Sequence, residues 1–476
     1  MNFSKNRIKF LAGLVFLSLL FVILRIKTLG HLLMWDEAWN ILSLRAYLLD
    51  AVKDPFYWYY RFHPPLYMFF AKFLFPFKSG FDVRAEMLSL LFSYLTFVIA
   101  YLLSARIGGW KYAWFSGFFL CLMPASIGYD TWIKRDGLAI CLGYLALYLL
   151  MNRKFLWCAI ALSFSLLSKE NALFFILCAI LLVFVFKERN KLKILFTLFI
   201  TLLIVNAWWY LPLSTLTKDM KAFYFSREMY GNIWVNAPLY YLKKLMPDLG
   251  PAILFFFIAG LIYLFLTAMS KKQPRWLLPA AVFFCVYIPG SLFMTKTPWL
   301  CLSARPAIAM IAASGVLFFL KNDKKKILLS FSGLFLILAA LNGLTFSYPE
   351  YHGKTYPNGW PGAQASRELA LYLNEHMKDQ DRLMISEFTY WQMPTCPIFL
   401  YYWKPHKMMI INSEERTEDI IEKIKNNKIS WLVIVDSPDP KYNLRSFAAK
   451  LQNSLETNPR IVRWSYVWNT EHLWKE

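Results

Sequence analysis

The sequence predicts an α-helical polytopic membrane protein of about eleven transmembrane helices, with a small C-terminal α/β domain outside the membrane. Three observations carry this. Of the 476 residues, 58% are hydrophobic and 18% aromatic, more than a soluble core uses. Apolar stretches of about fifteen to twenty residues recur from the N-terminus to about residue 345. Beyond Leu344 they stop, and turn-forming clusters with short strand and helix patterns follow.

The first apolar run follows Lys5, Arg7 and Lys9 and extends through Ile26. It has the outline of a signal peptide, but no small-residue cleavage site precedes Arg25 and the run is long enough to span. It reads as a retained first helix. Further spans fall at about 84–104, 110–129, 136–151, 155–168, 171–186, 192–212, 251–268, 276–294, 304–320 and 327–345. The stretch Pro64–Phe77 is apolar but short, opens on Pro64-Pro65 and closes near Pro76. Reading it as a re-entrant or juxtamembrane helix puts Arg106/Lys111, Arg153/Lys154, the 187–193 cluster, Lys271/Lys272/Arg275 and the 321–326 cluster on the side of the basic N-terminus, as the charge rule requires. A crossing helix there would turn all of those turns outward.

The outer face then comprises 28–83, the turns 129–135 and 168–170, the long loop 213–250, the turn 295–303 and the C-terminal domain. The chain divides into a membrane domain at 1–345 and an extracytoplasmic domain at 346–476. The formal net charge of +22 does not imply nucleic acid, because the basic residues sit in short loops between apolar segments, where they orient the chain and meet lipid phosphates. Cys121, Cys141, Cys158, Cys178 and Cys285 lie in hydrophobic segments, and no CxxC spacing occurs, which argues against a zinc site or a disulfide framework.

In the C-terminal domain a linker containing Tyr348-Pro349, Tyr356-Pro357-Asn358-Gly359 and Trp360-Pro361-Gly362 precedes a helical pattern at 363–377 and strands at 382–386 and 407–411. Ser413 can cap a helix with Glu414 and Glu415 in its first turn and Ile420, Ile421 and Ile424 on one face. A strand at 431–435 follows, so the order implies a small parallel α/β domain. Asp436 at that strand's end is a ligand candidate or an ordinary loop carboxylate.

The polar residues at the outer helix ends carry the chemistry. Asp36 and Glu37, within Trp35-Asp36-Glu37-Ala38-Trp39-Asn40, are adjacent carboxylates beside the bilayer, costly to desolvate without a task or a partner. One of them can take the proton of an acceptor hydroxyl. The plainer reading is an interfacial amphipathic helix, with Ile41, Leu44 and Leu48 on one face. In Arg61-Phe62-His63-Pro64-Pro65 the prolines hold Arg61 and His63 at headgroup level, where they pair with a phosphate or simply snorkel from a Pro-capped helix start. Asp136, in Lys134-Arg135-Asp136-Gly137, is a second acidic group for the site, or else a partner of Arg135 or a helix cap. Lys169, in Ser168-Lys169-Glu170-Asn171, is placed to meet a phosphate, or pairs with Glu170. Lys296 and Arg305 flank a helix break around Pro298-Trp299 and can neutralise a leaving phosphate. Each motif alone is weak; together they converge on one face.

These residues resemble a family. Asp36-Glu37 after the first helix, the turn His63-Pro64-Pro65-Leu66 and Asp136 heading a later helix are similar to the multispanning GT-C glycosyltransferases, especially the protein O-mannosyltransferase and lipid A aminoarabinose transferase group. Lys169 and the Lys296 to Arg305 stretch resemble that group's cationic positions. The likeness covers about 1–345. It implies a sugar donor linked to polyprenyl phosphate, a protein, lipid or glycan acceptor, Asp36 as catalytic base, Glu37 and Asp136 in support, and Arg61, His63, Lys169, Lys296 and Arg305 on the donor phosphate. Two positions depart from it: His63 stands where many relatives have Lys, and Glu170 where relatives commonly have Gly.

The expected reaction is an inverting single displacement with an oxocarbenium-like transition state. A transporter or flippase for lipid-linked sugars is the rival of another class; it calls for inverted repeats and polar residues at mid-membrane, whereas the charges here lie at the outer boundary. An oligosaccharide transferase is the rival enzyme, and it calls for a divalent metal where a monosaccharide transferase needs none. A structural or receptor role built on the C-terminal domain is the third. The expected location is the cell membrane, and the lack of a C-terminal retention signal favours a prokaryotic plasma membrane over the endoplasmic reticulum.

Overall fold

The computed structural model describes residues 3–30, 37–38, 40–43, 64–74, 81–186, 190–210, 240–270, 273–292, 300–320, 326–346, 363–386, 407–411, 417–436, 460–465 and 473–474. The chain forms two compact units, one of 1–30 with 47–355 and the other of 31–46 with 356–476.

The first unit is helical among its described residues. Its elements are α1 (Phe3–Ile26), α2 (Leu66–Leu74), α3 (Phe81–Gly108), α4 (Trp110–Leu122), α5 (Pro124–Tyr129), α6 (Asp136–Met151), α7 (Phe155–Leu166), α8 (Leu173–Val185), α9 (Lys191–Tyr210), α10 (Tyr240–Ser270), α11 (Leu278–Leu292), α12 (Arg305–Leu320) and α13 (Lys326–Leu344). Six described helices are long and apolar enough to cross a membrane: 6–26, 83–108, 191–210, 240–270, 274–292 and 301–320. The apolar helices at 136–151, 155–166, 170–185 and 333–344 are shorter. Large apolar side chains such as Phe196, Phe199, Ile204 and Ile262 stand exposed, as lipid-facing groups do. The chain is a multi-pass membrane protein.

Local chemistry sets the breaks. Gly109, with φ 84°, makes the left-handed link between α3 and α4. Met123 is extended because Pro124 follows it, so the expected single span 110–129 is two helices, α4 and α5. The expected loop 213–250 gives way to helix from Tyr240 onward, since α10 runs through Pro247 and Pro251 and bends at Gly250, where φ is 72°. That break hid the upstream half from a hydropathy reading. At nine residues, α2 is about 13 Å long, too short to cross about 30 Å of hydrocarbon.

At the centre lies α12, which carries four alanines and Gly315 and is buried along nearly its whole length. Tyr112 donates to the Met310 carbonyl at 2.7 Å, and Tyr144 donates to the Ser303 carbonyl and accepts from Ala307 N–H, both at 3.0 Å. The second of these Tyr144 contacts satisfies one of the orphan donors at the start of α12. On another side α12 crosses α10 at glycines: a Cβ placed on Gly260 would stand 3.0 Å from Gly315 N, and one on Gly315 would stand 3.1 Å from Gly260 N.

The second unit contains α14 (Ala363–His376), β1 (Arg382–Ser386), β2 (Lys407–Ile411), α15 (Thr417–Asn427), β3 (Trp431–Asp436), β4 (Arg460–Ser465) and β5 (Leu473–Trp474). The sheet order is β2-β1-β3-β4-β5, parallel except for the antiparallel edge strand β5. Strands β4 and β5 escape a sequence reading, because Arg460 and Arg463 break the apolar run expected of a parallel strand. Ser413, Glu414 and Glu415 lie outside the described residues; Glu418 and Asp419 occupy the first turn of α15. Glu37, Ala38 and 40–43 belong to this unit and are buried.

Candidate active site

The site is built around a connection that a surface turn would not resemble. Every residue from Met123 to Asp136 is buried, so its backbone polar groups need partners inside the protein. Backbone bonds within the segment meet several of these, and two arginines bind carbonyls in it and at the helix ends beside it. Arg25, at the end of α1, donates to the Cys121 carbonyl at 2.6 Å and the Leu120 carbonyl at 3.0 Å, which belong to the unpaired end of α4. Arg305, at the start of α12, donates to the Ala125 carbonyl at 3.0 Å and the Leu302 carbonyl at 3.2 Å. Both guanidiniums close on Asp130, Arg25 Nε on Oδ2 at 3.0 Å and Arg305 Nη1 on Oδ1 at 2.8 Å. Arg25 also lies 3.9 Å over the Phe21 ring, and Ser93 donates to the Asp130 carbonyl at 3.1 Å. One carboxylate therefore binds the ends of α1, α4 and α12 to a single segment. A cavity of about 20 Å³ opens beside it, lined by Ser93, Thr96, Asp130, Gly137, Arg305 and Pro306 among others.

That segment delivers Asp136 to the first position of α6. Its Oδ2 accepts from Lys169 Nζ at 2.6 Å and its Oδ1 from Asn171 Nδ2 at 2.8 Å. Lys169 stands in the tight turn between α7 and α8, and its side chain keeps 18% of its surface exposed. The Leu66 N–H donates to the Leu167 carbonyl at 3.1 Å, which ties the Pro64-Pro65-Leu66 turn to the same place. Glu170 is only half-buried as a residue, yet its Oε2 is enclosed. Burial pushes its carboxyl up, against the lowering effect of its own backbone N–H and of the Lys169 and Arg135 charges. A further pair, Lys244 with Asp248 at 2.5 Å, is buried on the upstream half of α10, with the ammonium 5.5 Å from the Tyr129 ring.

Among the residues expected from sequence, Asp136 and Lys169 come together as partners of each other, rather than pairing with Arg135 and Glu170. Arg305 joins the Asp130 cluster. Glu37 belongs to the other unit and is buried. Asp36, Arg61, His63 and Lys296 lie outside the described residues. Sequence reasoning missed Arg25, Asp130, Asn171, Lys244 and Asp248. The signal that would have found the first two is a lone charge set among apolar and aromatic neighbours, as in Tyr129-Asp130-Thr131-Trp132, where an ion is costly without a partner.

A helical membrane unit of this topology, with paired charges gathered at helix ends, has the fold of the GT-C membrane glycosyltransferases. No family model and no curated protein matches the sequence. The solved structures it resembles include ArnT from Cupriavidus metallidurans bound to undecaprenyl phosphate, at 14% identity and a TM-score of 0.57 over 88% of each chain. The apo state of that protein matches at 13% identity and a TM-score of 0.59, covering 98% of this chain and 94% of that one. The archaeal oligosaccharyltransferase AglB from Archaeoglobus fulgidus, in complex with an inhibitory peptide and a dolichol-phosphate, matches at 13% identity and a TM-score of 0.52, covering 81% of this chain and 63% of that one.

Proposed function

We propose that this protein is a membrane glycosyltransferase that takes a sugar from a polyprenyl-phosphate carrier and transfers it to a hydroxyl of a protein, lipid or glycan on the extracytoplasmic side. The observation that supports it is the Asp136–Lys169 couple, an anchored cation still partly open, set in a fold shared with proteins solved bound to undecaprenyl phosphate and dolichol-phosphate. Lys169 donates one of its three protons to Asp136, which leaves two for a phosphate oxygen.

In this reading Asp36 takes the acceptor hydroxyl's proton as that oxygen attacks the anomeric carbon. The bond from that carbon to the phosphate oxygen breaks, the configuration inverts, and the polyprenyl phosphate leaves with the electron pair. Negative charge grows on the phosphate as the bond lengthens, and Lys169, Lys296, Arg61 and His63 stabilise it there. Arg305 acts from behind, its Nη1 committed to Asp130. Glu37 and Asp136 support the base and the cation. The test is Asp36→Asn in purified protein, with a labelled polyprenyl-phosphate sugar and a membrane acceptor fraction. Losing a general base lowers the rate by about 10²–10⁴-fold; undiminished transfer would refute the assignment of Asp36.

A further inference from the structure

We infer that Asn171 is a positioning residue, whose amide fixes the Asp136 carboxylate so that Lys169 is presented to the leaving phosphate. This rests on the transferase reading above and names a residue that reading does not include.

The orientation of Asn171 is dictated by its partner. A carboxylate only accepts hydrogen bonds, so the side-chain NH₂ must face Asp136 and Oδ1 must face away. There Oδ1 is buried with no hydrogen-bond partner among the described residues. An unmet buried acceptor is costly, and the bond from Nδ2 to Asp136 at 2.8 Å is what holds the amide in that orientation. Asp136 is thereby held at both oxygens, by Lys169 on Oδ2 and Asn171 on Oδ1. Its carboxylate cannot rotate, and the Lys169 ammonium is fixed in turn.

Little else near the turn could do this. Helices α7 and α8, which flank it, carry no Asp, Glu, Lys, Arg or His; their titratable side chains are Cys158 and Cys178. On α6 the titratable groups are Asp136, Cys141, Tyr144 and Tyr148. Among the described residues of these elements the charges beside Asp136 and Asn171 are Lys169, Glu170 and Arg135, the last just ahead of α6, and α9 adds the titratable Tyr210, which donates to the Leu166 carbonyl at 3.1 Å.

A charge-switch variant separates positioning from packing. In Asn171→Asp a carboxyl oxygen replaces the donor 2.8 Å from Asp136, and two carboxylates that close share one proton. While the proton is held, the new carboxyl donates to Asp136 as the amide did. Once it is lost, the two repel. Asn171→Asp should therefore transfer sugar at acidic pH and lose activity relative to wild type at the same pH as pH rises. Asn171→Leu, of similar size, should be impaired at every pH, with kcat and kcat/KM falling together by about tenfold, the size of a lost charge-assisted bond.

A second readout does not depend on turnover. Labelling of Lys169 by an amine-reactive reagent, followed by mass spectrometry, should speed up severalfold in Asn171→Leu and in Asp136→Asn relative to wild type. If wild type transfers no sugar, the transferase reading falls while the labelling still decides whether Asn171 restrains Lys169. Wild-type kcat and labelling in Asn171→Leu would overturn the inference. So would an Asn171→Asp enzyme whose pH profile follows that of wild type or of Asn171→Leu.

Discussion

The crossing of α10 and α12 allows a quantitative expectation. A Cβ added to Gly260 would stand 2.7 Å from the Ile311 carbonyl carbon, closer still to its oxygen, and 3.0 Å from Gly315 N. Carbon atoms rest at about 3.5–4.0 Å, so Gly260→Ala requires the two backbones to part by about 1 Å or more. The α12 side cannot yield freely, because Tyr112 and Tyr144 hold it through three bonds of 2.7 to 3.0 Å. Overpacking costs about 1–3 kcal/mol, and stretching those bonds adds about 1 kcal/mol each. A destabilisation of about 4–6 kcal/mol follows, from the overpacking and the three bonds together. The assay uses the protein's own thiols: Cys121, Cys141, Cys158, Cys178, Cys285 and Cys301 are buried and in no disulfide, so a thiol-reactive fluorophore reports unfolding as the solubilised protein is heated. Gly333→Ala is the control, since a Cβ there meets nothing within 4 Å and should leave stability unchanged or raise it by up to about 1 kcal/mol. A Gly260→Ala protein melting at or above the temperature of Gly333→Ala would refute the reasoning.

Two more expectations are independent of it. Asp130→Ala strands two buried guanidiniums and should destabilise by roughly 3–5 kcal/mol in the same thiol assay; a melt matching wild type would show that the arginines have another counter-charge. In the second unit partial burial pushes the Asp381 carboxyl up, but the Lys378 backbone N–H, the Trp431 indole, Ser430 and the Lys378 charge outweigh it and hold the carboxyl below its ordinary value. A depressed folded value stabilises above the unfolded one, so this contribution is present at neutral pH and lost as pH falls through the acid range. Asp381→Asn should flatten that acid limb when unfolding is followed by tryptophan fluorescence, and an unchanged limb would exclude the group.

That the chain is a multi-pass membrane protein was legible because hydropathy is an additive signal that survives without tertiary knowledge. Lys169 and Asp136 were legible individually, since an ionisable group at a helix end stands out in an apolar sequence. Their mutual pairing was not, because it joins residues 33 apart that are brought together only by the packing of α6 against α7 and the turn after it. Asp130 was passed over as part of a short outer turn. Its burial follows from two arginines 105 and 175 residues away, a relation no local pattern encodes. The upstream half of α10 was hidden by its own breakers: Pro247, Gly250 and Pro251 read as loop, yet the helix continues on both sides of them.

That joint has a bearing on how the sequence can diverge. In a continuous helix an inserted residue rotates everything on one side of it by about 100°, because register passes along unbroken hydrogen bonding. At Gly250 the transmission stops. An insertion or deletion within 240–249 would re-aim Lys244 and Asp248 while Gly260 still faced Gly315. One helix thus holds two segments whose registers are set separately, one around the buried pair beside Tyr129 and one against α12, so a length change on the first side of the joint that keeps its own pair leaves the glycine crossing in place.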